Sequence, residues 1–230
     1  LSSRREYTKL NPFVVLLGKG DHQITSSWTD PAEQDDEDDE DFVFETMLDI
    51  TRSNITFVGT GKDTTTILGG FAIRDLENIM FKQMTVTNTS GFGIFMENGT
   101  VELVDVALTG CSKCAFYIPY STVSETTVVA TRCEFANSNE GAVVTSSLAS
   151  ATFKNCVFHD NSCFGIQGYR STIHLHGKAT AIHSNRGPGI FVYSAGKVII
   201  HLPSHHNTSY NNRGEDRFTS SGGTITNVED

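Results

Sequence analysis

The sequence lacks a long apolar run, an excess of basic residues and a helical pattern, and each absence excludes a class of protein. The longest apolar run, residues 13–17, is far shorter than the ~20 residues of a membrane-spanning helix, so we expect no membrane segment. The formal net charge of −10 argues against nucleic-acid binding, which depends on basic surface. No stretch carries apolar residues at the helical period, so we expect strands.

Cysteine is also scarce. The chain has five cysteines, an odd number, and at 230 residues it does not need disulfide bonds to fold. Cys111 and Cys114 form a CxxC pair, but no second pair accompanies it, so a cysteine-based zinc site is poorly supported. The redox state of the cysteines stays open at this point.

What the sequence does contain is a repeat. Each unit has alternating apolar residues, an Asn, a turn that contains Gly, and a second alternating strand. The Asn position falls at Asn88, Gly110, Asn137, Asn161, Asn185 and Asn212. The steps are therefore about 22 to 27 residues, shorter than helical repeats, which need about 33 residues or more. Short strands at this period predict an all-β fold, a single-stranded parallel β-helix of about seven to eight coils that spans residues 1–230 as one domain.

The repeats resemble the right-handed β-helix repeats of the pectate-lyase-like superfamily. Residues 13–24 resemble the first coil of such domains, and residues 54–70 resemble the second. The resemblance implies the fold and leaves the activity open, because that superfamily includes lyases, hydrolases, epimerases, phage spikes and non-enzymatic scaffolds. The recurrent Asn is interpreted as an internal ladder that bonds to turn backbone.

The strand after each turn predicts an outward aromatic face. If Ile94 and its equivalents point inward, the next residue of each strand points outward. The residues predicted to bind a ligand on this face are Phe95, Tyr117, Gln167, Tyr169, Phe191 and Tyr193. Exposed aromatic patches usually mark contact sites, and these rings suit either a sugar chain or a protein. The alternative that a loop covers them stays open.

Catalytic candidates are few. Lyase chemistry needs a base and a group that neutralises a carboxylate, and the candidates near the aromatic face are Glu97, Tyr169, Arg170 and His174. The Asp clusters and the Asp-Pro-His-Glu motif of related hydrolases and epimerases do not occur. His174 and His176 share a strand face, and His201 lies about one coil after His174. They could hold zinc or act as a base, but polar residues on a solvated strand explain them as well, and we assign no metal.

An acidic insertion is predicted at residues 29–45, between the first and second coils. It carries seven consecutive acids, Asp35–Asp41, and the rest of the chain is close to −3 in charge. We expect a solvated, mobile loop; calcium binding is an alternative, although the acids lack the spacing of a defined calcium loop. The chain does not begin with Met, so we expect a processed chain or an excised domain, and the compartment stays open with an extracellular one favoured.

Three functions fit these observations. The leading hypothesis is a non-catalytic domain that binds polysaccharide or a protein partner through the aromatic face. The second is a polysaccharide lyase or uronate epimerase with an unrecognised active site. The third is a structural spike or spacer that self-associates through its open ends, since solenoid ends expose unpaired strand edges.

Overall fold

The fold is built from short strands throughout. The computed structural model describes residues 6–29, 45–202 and 208–229, and in these ranges the chain forms 22 strands and no helix. Accordingly, no helix of the described ranges could cross a membrane. The strands are β1 (Phe13–Leu16), β2 (Gly20–Gln23), β3 (Ser27–Trp28), β4 (Glu45–Ile50), β5 (Ile55–Val58), β6 (Thr65–Leu68), β7 (Gly70–Thr87), β8 (Ile94–Thr109), β9 (Phe116–Tyr117), β10 (Thr126–Thr131), β11 (Glu134–Ala136), β12 (Gly141–Thr145), β13 (Ala149–Lys154), β14 (Val157–His159), β15 (Phe164–Tyr169), β16 (Thr172–His176), β17 (Ala181–His183), β18 (Ile190–Tyr193), β19 (Lys197–Leu202), β20 (Ser209–Tyr210), β21 (Arg217–Thr219) and β22 (Thr224–Glu229).

Parallel pairing between successive coils arranges the strands on three faces. The first face consists of β1, β5, the middle of β7 and of β8, β10, β13, β16, β19 and β22. The second face consists of β2, β6, the ends of β7 and β8, β11, β14, β17 and β20. The third face consists of β4, the starts of β7 and β8, β9, β12, β15, β18 and β21. Each coil begins with its strand on the first face. We number the coils one to eight in this way, from the coil that begins with β1 to the coil that begins with β19.

The predicted period is confirmed by the register of the first face. The residues at one inward position are Ile55, Ile79, Val101, Val128, Ala151, Ile173, Val198 and Ile225. The spacing between successive members of this column stays within the coil lengths that the sequence repeat predicted. All but the last are buried, because stacking at the strand spacing of about 4.8 Å turns one apolar position per coil into a continuous core.

A second inward column contains the cysteines that the sequence placed there. Cys133 and Cys156 are 2% and 0% exposed, and Phe135 and Phe158 stack face to face at 4.9 Å. The chain's five cysteines all lie in the described ranges and none forms a disulfide. These two thiols therefore act as small core residues.

The predicted asparagine ladder is present in the last coils. Asn161 Nδ2 donates to Asn185 Oδ1 over 2.8 Å, and Asn185 Nδ2 donates to Asn212 Oδ1 over 2.9 Å. Asn185 also donates to the carbonyl of Phe158, and its Oδ1 accepts a hydrogen bond from the Asn161 N–H in the turn over 3.1 Å. The ladder therefore satisfies turn backbone inside the solenoid, as an Asn at this position was expected to do.

The ladder assignment is wrong in two earlier coils. The ends of β11 and β14 align, so the residue equivalent to Asn161 is Ser138, whose N–H donates to Asn161 Oδ1 over 3.0 Å. Asn137 is exposed with φ of 55°, and Gly110 has φ of 67°, so both are the left-handed turn residue that precedes the ladder. Cys111, buried, takes the ladder position after Gly110. The sequence pattern is ambiguous here because Asn is acceptable both at the left-handed turn position and at the ladder position that follows it.

The acidic insertion lies almost entirely outside the described residues, which resume at Glu45. The strands on either side of it pair with each other: Trp28 of β3 lies antiparallel to Glu45 of β4. The predicted position of the insertion, between coils one and two, falls on residues outside the described ranges and stays a prediction. The single-domain assignment for residues 1–230 stays a prediction.

Candidate functional site

The third face carries the outward column on which the predicted binding site depends. Strand pairing aligns Phe95 with Tyr117, Tyr117 with Val144, Val144 with Gln167, and Gln167 with Phe191. The predicted register is therefore confirmed. The environment of these side chains, however, changes along the column.

The first half of the column is covered. Phe95 is only 1% exposed, because Trp28 packs against it with ring centroids 4.9 Å apart and Phe92 lies at 5.9 Å. Tyr117 stacks on Phe92 at 4.7 Å. The expectation that Phe95 is exposed is wrong, since β3 places the single Trp of the chain over it.

A buried carboxylate fixes this cover. Glu45, at the start of β4, accepts a hydrogen bond from the Phe92 N–H over 3.1 Å and forms an ion pair of 2.8 Å with Lys113. Its side chain is 2% exposed. A Cβ at Gly91 would collide with the Glu45 carboxylate, so a larger residue there would displace that side chain. The charge holds β4, and with it Trp28, against coils three and four.

Along the second half of this face, aromatic rings on and beside the column are open to solvent and form what we call the aromatic patch. Its members are Tyr120, Tyr169, Phe191, Tyr193 and Phe218. Tyr169 lies edge-on to Tyr120 at 4.9 Å and tilted to Tyr193 at 5.1 Å, and Phe191 stacks on Tyr193 at 4.8 Å. Tyr120 is 49% exposed and Phe218 36%, and the other three are half-buried. The patch thus presents rings from four coils to solvent.

A hydrogen-bond network holds the tyrosines in place. The phenol oxygens of Tyr120 and Tyr193 are 2.5 Å apart, and Gln167 Nε2 donates to them over 3.1 and 3.0 Å. Gln167 is only 7% exposed. Its geometry therefore favours a role in positioning the two phenols over the predicted role of an exposed contact residue. Burial, together with the hydrogen bond that the Tyr193 phenol shares with Tyr120, raises the pKa of Tyr193 well above its usual value. Tyr193 is therefore a neutral phenol at physiological pH.

Tyr120 was missed by the sequence reasoning because it lies outside the repeat. It occupies the loop between β9 and β10, and the next residue, Ser121, donates to Glu97 Oε1 over 2.9 Å. The one signal in the sequence is the length of this coil, which is greater from Val101 to Val128 than that of the preceding coil from Ile79 to Val101. A longer coil has room for a loop that folds back over a face.

A cleft of about 530 Å³ adjoins the patch. It lies along coils four to six, and its walls are both aromatic and polar. The lining residues that matter here are Tyr117, Tyr120, Glu140, Cys163, Phe164 and Gln167. Burial raises the pKa of the Cys163 thiol, so it is not an activated nucleophile.

The structure does not bring the four catalytic candidates together. Arg170 lies over the Tyr169 ring, 5.1 Å from its centroid, but Glu97 is on coil three and Tyr169 on coil six, which at the strand spacing is roughly 14 Å. His174 is on the first face, where burial and the neighbouring His201 lower its pKa. The catalytic role of these residues stays a prediction.

The histidines are the described residues that could hold a metal ion. His174, His176 and His201 bring one ring nitrogen each to within 4.8 Å of the others. The proposed calcium alternative concerned the acidic segment, which lies outside the described residues. His159 and His183 form a separate stacked pair on the second face.

Solved structures with the same architecture are recognisable, and together with the stacked parallel coils they define the fold as a parallel β-helix. Pectate lyase Pel9A superposes with a TM-score of 0.55 at 11% identity, over 94% of this chain and 69% of that one. The A-module of mannuronan C-5 epimerase AlgE6 from Azotobacter vinelandii gives 0.54 at 14% identity, over 95% and 79%. ORF18 of Geobacillus virus E2 gives 0.46 at 11% identity; it matches 94% of this chain, which spans 53% of that protein. At these identities the likeness shows the fold alone.

The family follows from the sequence. The model of the right-handed β-helix region matches residues 67–229, well over half of the chain, so the chain belongs to this family. No curated protein sequence matches it. The handedness, the parallel solenoid and the predicted resemblance to pectate-lyase-like repeats are thereby confirmed.

Proposed function

We propose that this β-helix binds a polysaccharide through the aromatic patch. The observation that carries the proposal is the set of five partly exposed rings, which come from four coils and lie beside an open cleft. Aromatic rings pack against the apolar faces of sugars, and phenol groups at their edges can exchange hydrogen bonds with hydroxyls. The names of two structural neighbours, a mannuronan epimerase and a pectate lyase, agree with a polysaccharide ligand.

A groove of about 540 Å³ on the first face is another large concave surface of the described residues. It is lined mainly by aliphatic and Thr side chains, among them Val14, Thr56, Met80 and Val129. It offers no aromatic ring to a sugar, and its volume alone does not define a ligand. We therefore place polysaccharide binding at the aromatic patch.

Binding is favoured over catalysis by the chemistry of the patch. Proton abstraction from a sugar ring needs a base whose pKa is near the working pH. The pKa of Tyr193 is raised, by burial and by Tyr120, away from that range. Glu97, three coils from Tyr169, already accepts a hydrogen bond from Ser121.

The experiment is a binding assay against immobilised neutral and uronic-acid polysaccharides. We expect the double variant Tyr120→Ala/Tyr169→Ala to lose roughly 5- to 150-fold in affinity, since each of the two ring contacts contributes roughly 0.5–1.5 kcal/mol. Tyr210→Ala is the matched control, because Tyr210 is a similarly exposed tyrosine, 37%, on the second face. Equal binding by the double variant and the wild type would remove the site assignment.

The lyase alternative is tested on the same preparations. Incubation with polyuronates, followed at the ultraviolet absorbance of unsaturated products, distinguishes elimination from binding. Product formation by the wild type that is lost in Tyr169→Ala would replace the binding proposal with an enzymatic one.

A further inference from the structure

A cluster of three histidines lies on the first face, away from the aromatic patch. Ile173 and Leu175 of β16 are fully buried, so the alternate residues His174 and His176 point outward. In the neighbouring strand β19, Ile200 is fully buried and His201 points outward in the same way. The three imidazoles therefore belong to two adjacent coils and are half-exposed.

The rings are already in contact. His174 Nδ1 and His201 Nε2 are 2.9 Å apart, and the rings of His176 and His201 stack with centroids separated by 3.8 Å. One nitrogen from each of the three rings lies within 4.8 Å of the other two. The strand register explains this, because β16 and β19 pair with Leu175 opposite Ile200, which places His176 beside His201.

We propose that His174, His176 and His201 bind one divalent transition-metal ion, with Zn²⁺ as the simplest case, through three imidazole nitrogens and one coordination position left open to solvent. The proposal does not depend on the polysaccharide site.

The three imidazole nitrogens determine which metal ions can bind. Imidazole nitrogen suits zinc, copper and nickel, whereas calcium and magnesium require oxygen ligands. Within the described ranges the cluster contains no carboxylate. The register neighbour of His176 on the preceding coil is Lys154, whose exposed ammonium is screened by water. The affinity therefore rests on the three imidazoles.

The geometry requires only small side-chain rotations. With Zn–N bonds of about 2.0–2.1 Å and tetrahedral angles, ligand nitrogens are roughly 3.3 Å apart. The His174–His201 nitrogen pair at 2.9 Å would open slightly, and the widest separation, at most 4.8 Å, would close. Half-exposed rings on paired strands can make these rotations while the backbone stays fixed, and rigid strands place ligands better than loops do.

Stacked rings alone do not make such a site, and the second face provides the comparison. There, His159 stacks on His183 at 5.3 Å and His183 on Tyr210 at 5.2 Å. Both nitrogens of His159 are bonded to carboxylates, Asp160 at 2.7 Å and Glu134 at 3.1 Å. This stack has two imidazoles in place of three, so His183→Ala serves as the matched control.

The test is a titration of the metal-free full chain with Zn²⁺, followed by calorimetry, and with Co²⁺, followed by visible absorption. We expect one ion per chain in the wild type and in His183→Ala, with the intense absorption of tetrahedral Co²⁺. The triple variant His174→Ala/His176→Ala/His201→Ala should bind at least about 100-fold more weakly, because loss of even an outer-shell partner costs roughly 10–100-fold. Zn²⁺ should raise the Tm of the wild type and of His183→Ala but not that of the triple variant, and Ca²⁺ should raise none of them.

Unchanged Zn²⁺ affinity in the triple variant would overturn the proposal. A wild-type chain that binds Zn²⁺ no better than Ca²⁺ would do the same. The single variant His201→Gln guards against misfolding, since it retains a polar side chain of similar reach. It should keep the metal-free Tm and lose at least about tenfold in Zn²⁺ affinity.

Discussion

In coil three the outward residue of the third face is Phe95, and in coil seven the residue of the same column is Phe191. Phe95 is 1% exposed, whereas Phe191 is half-buried and contacts Tyr193 and Phe218. The residue type and the strand position are the same, and the difference is Trp28, which packs on Phe95 from outside the repeat. An outward aromatic column therefore becomes a core or a binding surface according to what lies over it.

The two regions also differ in how they are held. The covered half is fixed by one buried carboxylate, Glu45, that joins β4 to Phe92 and Lys113. The open half is fixed by neutral hydrogen bonds among Tyr120, Tyr193 and Gln167. Three experiments test whether this contrast is real, and the first has the largest expected effect.

Replacement of the two column phenylalanines should give unequal losses of stability. We expect Phe95→Ala to lower the free energy of unfolding by about 3–5 kcal/mol, the usual cost of a cavity at a buried Phe. Phe191→Ala should lower it by roughly 1 kcal/mol, because part of that ring is already hydrated in the folded chain. Urea unfolding midpoints of the two variants measure the difference, and similar losses would contradict the assignment of Phe95 to a covered cluster.

Removal of the Glu45 charge should loosen the cover. Glu45→Gln keeps an acceptor for the Phe92 N–H but removes the ion pair between Glu45 and Lys113, so we expect a loss of about 1–3 kcal/mol. Trp28, the single Trp of the chain, should then emit at longer wavelength in the native state. Glu125→Gln, a change at an exposed position, is the control. Unaltered Trp28 emission in Glu45→Gln would show that the carboxylate does not fix the cover.

The hydrogen bonds of the open half should affect how the free energy of unfolding changes with pH in the alkaline range. Because the pKa of Tyr193 is higher in the folded chain than the usual value of 10.0, its contribution is fully present below pH 10 and falls above it. Tyr193→Phe should therefore be less stable by roughly 1 kcal/mol at neutral pH and should lose stability less steeply above pH 10. The free energy of unfolding is to be measured against pH for the wild type and for Tyr193→Phe. If the two curves ran parallel between neutral and strongly alkaline pH, the fold would not retain the Tyr193 proton.

Much of the fold was predictable because a solenoid repeats a local pattern. Residue alternation assigns inward and outward positions within each strand, and it correctly placed Ile94, Cys133 and Cys156 inside. The ladder failed at Asn137 because a shift of one residue separates the turn position from the ladder position, and Asn is acceptable in both. Only the pairing of β11 with β14 resolves this ambiguity.

The candidate site was predictable only in part. The register of Tyr169, Phe191 and Tyr193 follows from the repeat. Tyr120 comes from a loop whose path has no local signal, and it completes both the ring contacts and the hydrogen bonds of the patch.

The histidine cluster shows the same limit. His174 and His201 were expected to stack at equivalent positions of successive coils. The strand register instead places Ile199 opposite His174, and the closest ring pair is His176 and His201. An error of two residues in the assumed coil length keeps a side chain on the outward face but changes its partner.

Alternation and period alone specify this chain as a parallel solenoid with short coils, an apolar interior and an aromatic column outside, because these properties are local and repeat along the sequence. Three contacts emerge only when the coils are stacked: Trp28 covers Phe95, Tyr120 reaches Tyr193, and three histidines meet on the first face. They join residues from different coils or from outside the repeat, and no local pattern encodes which segment packs against which.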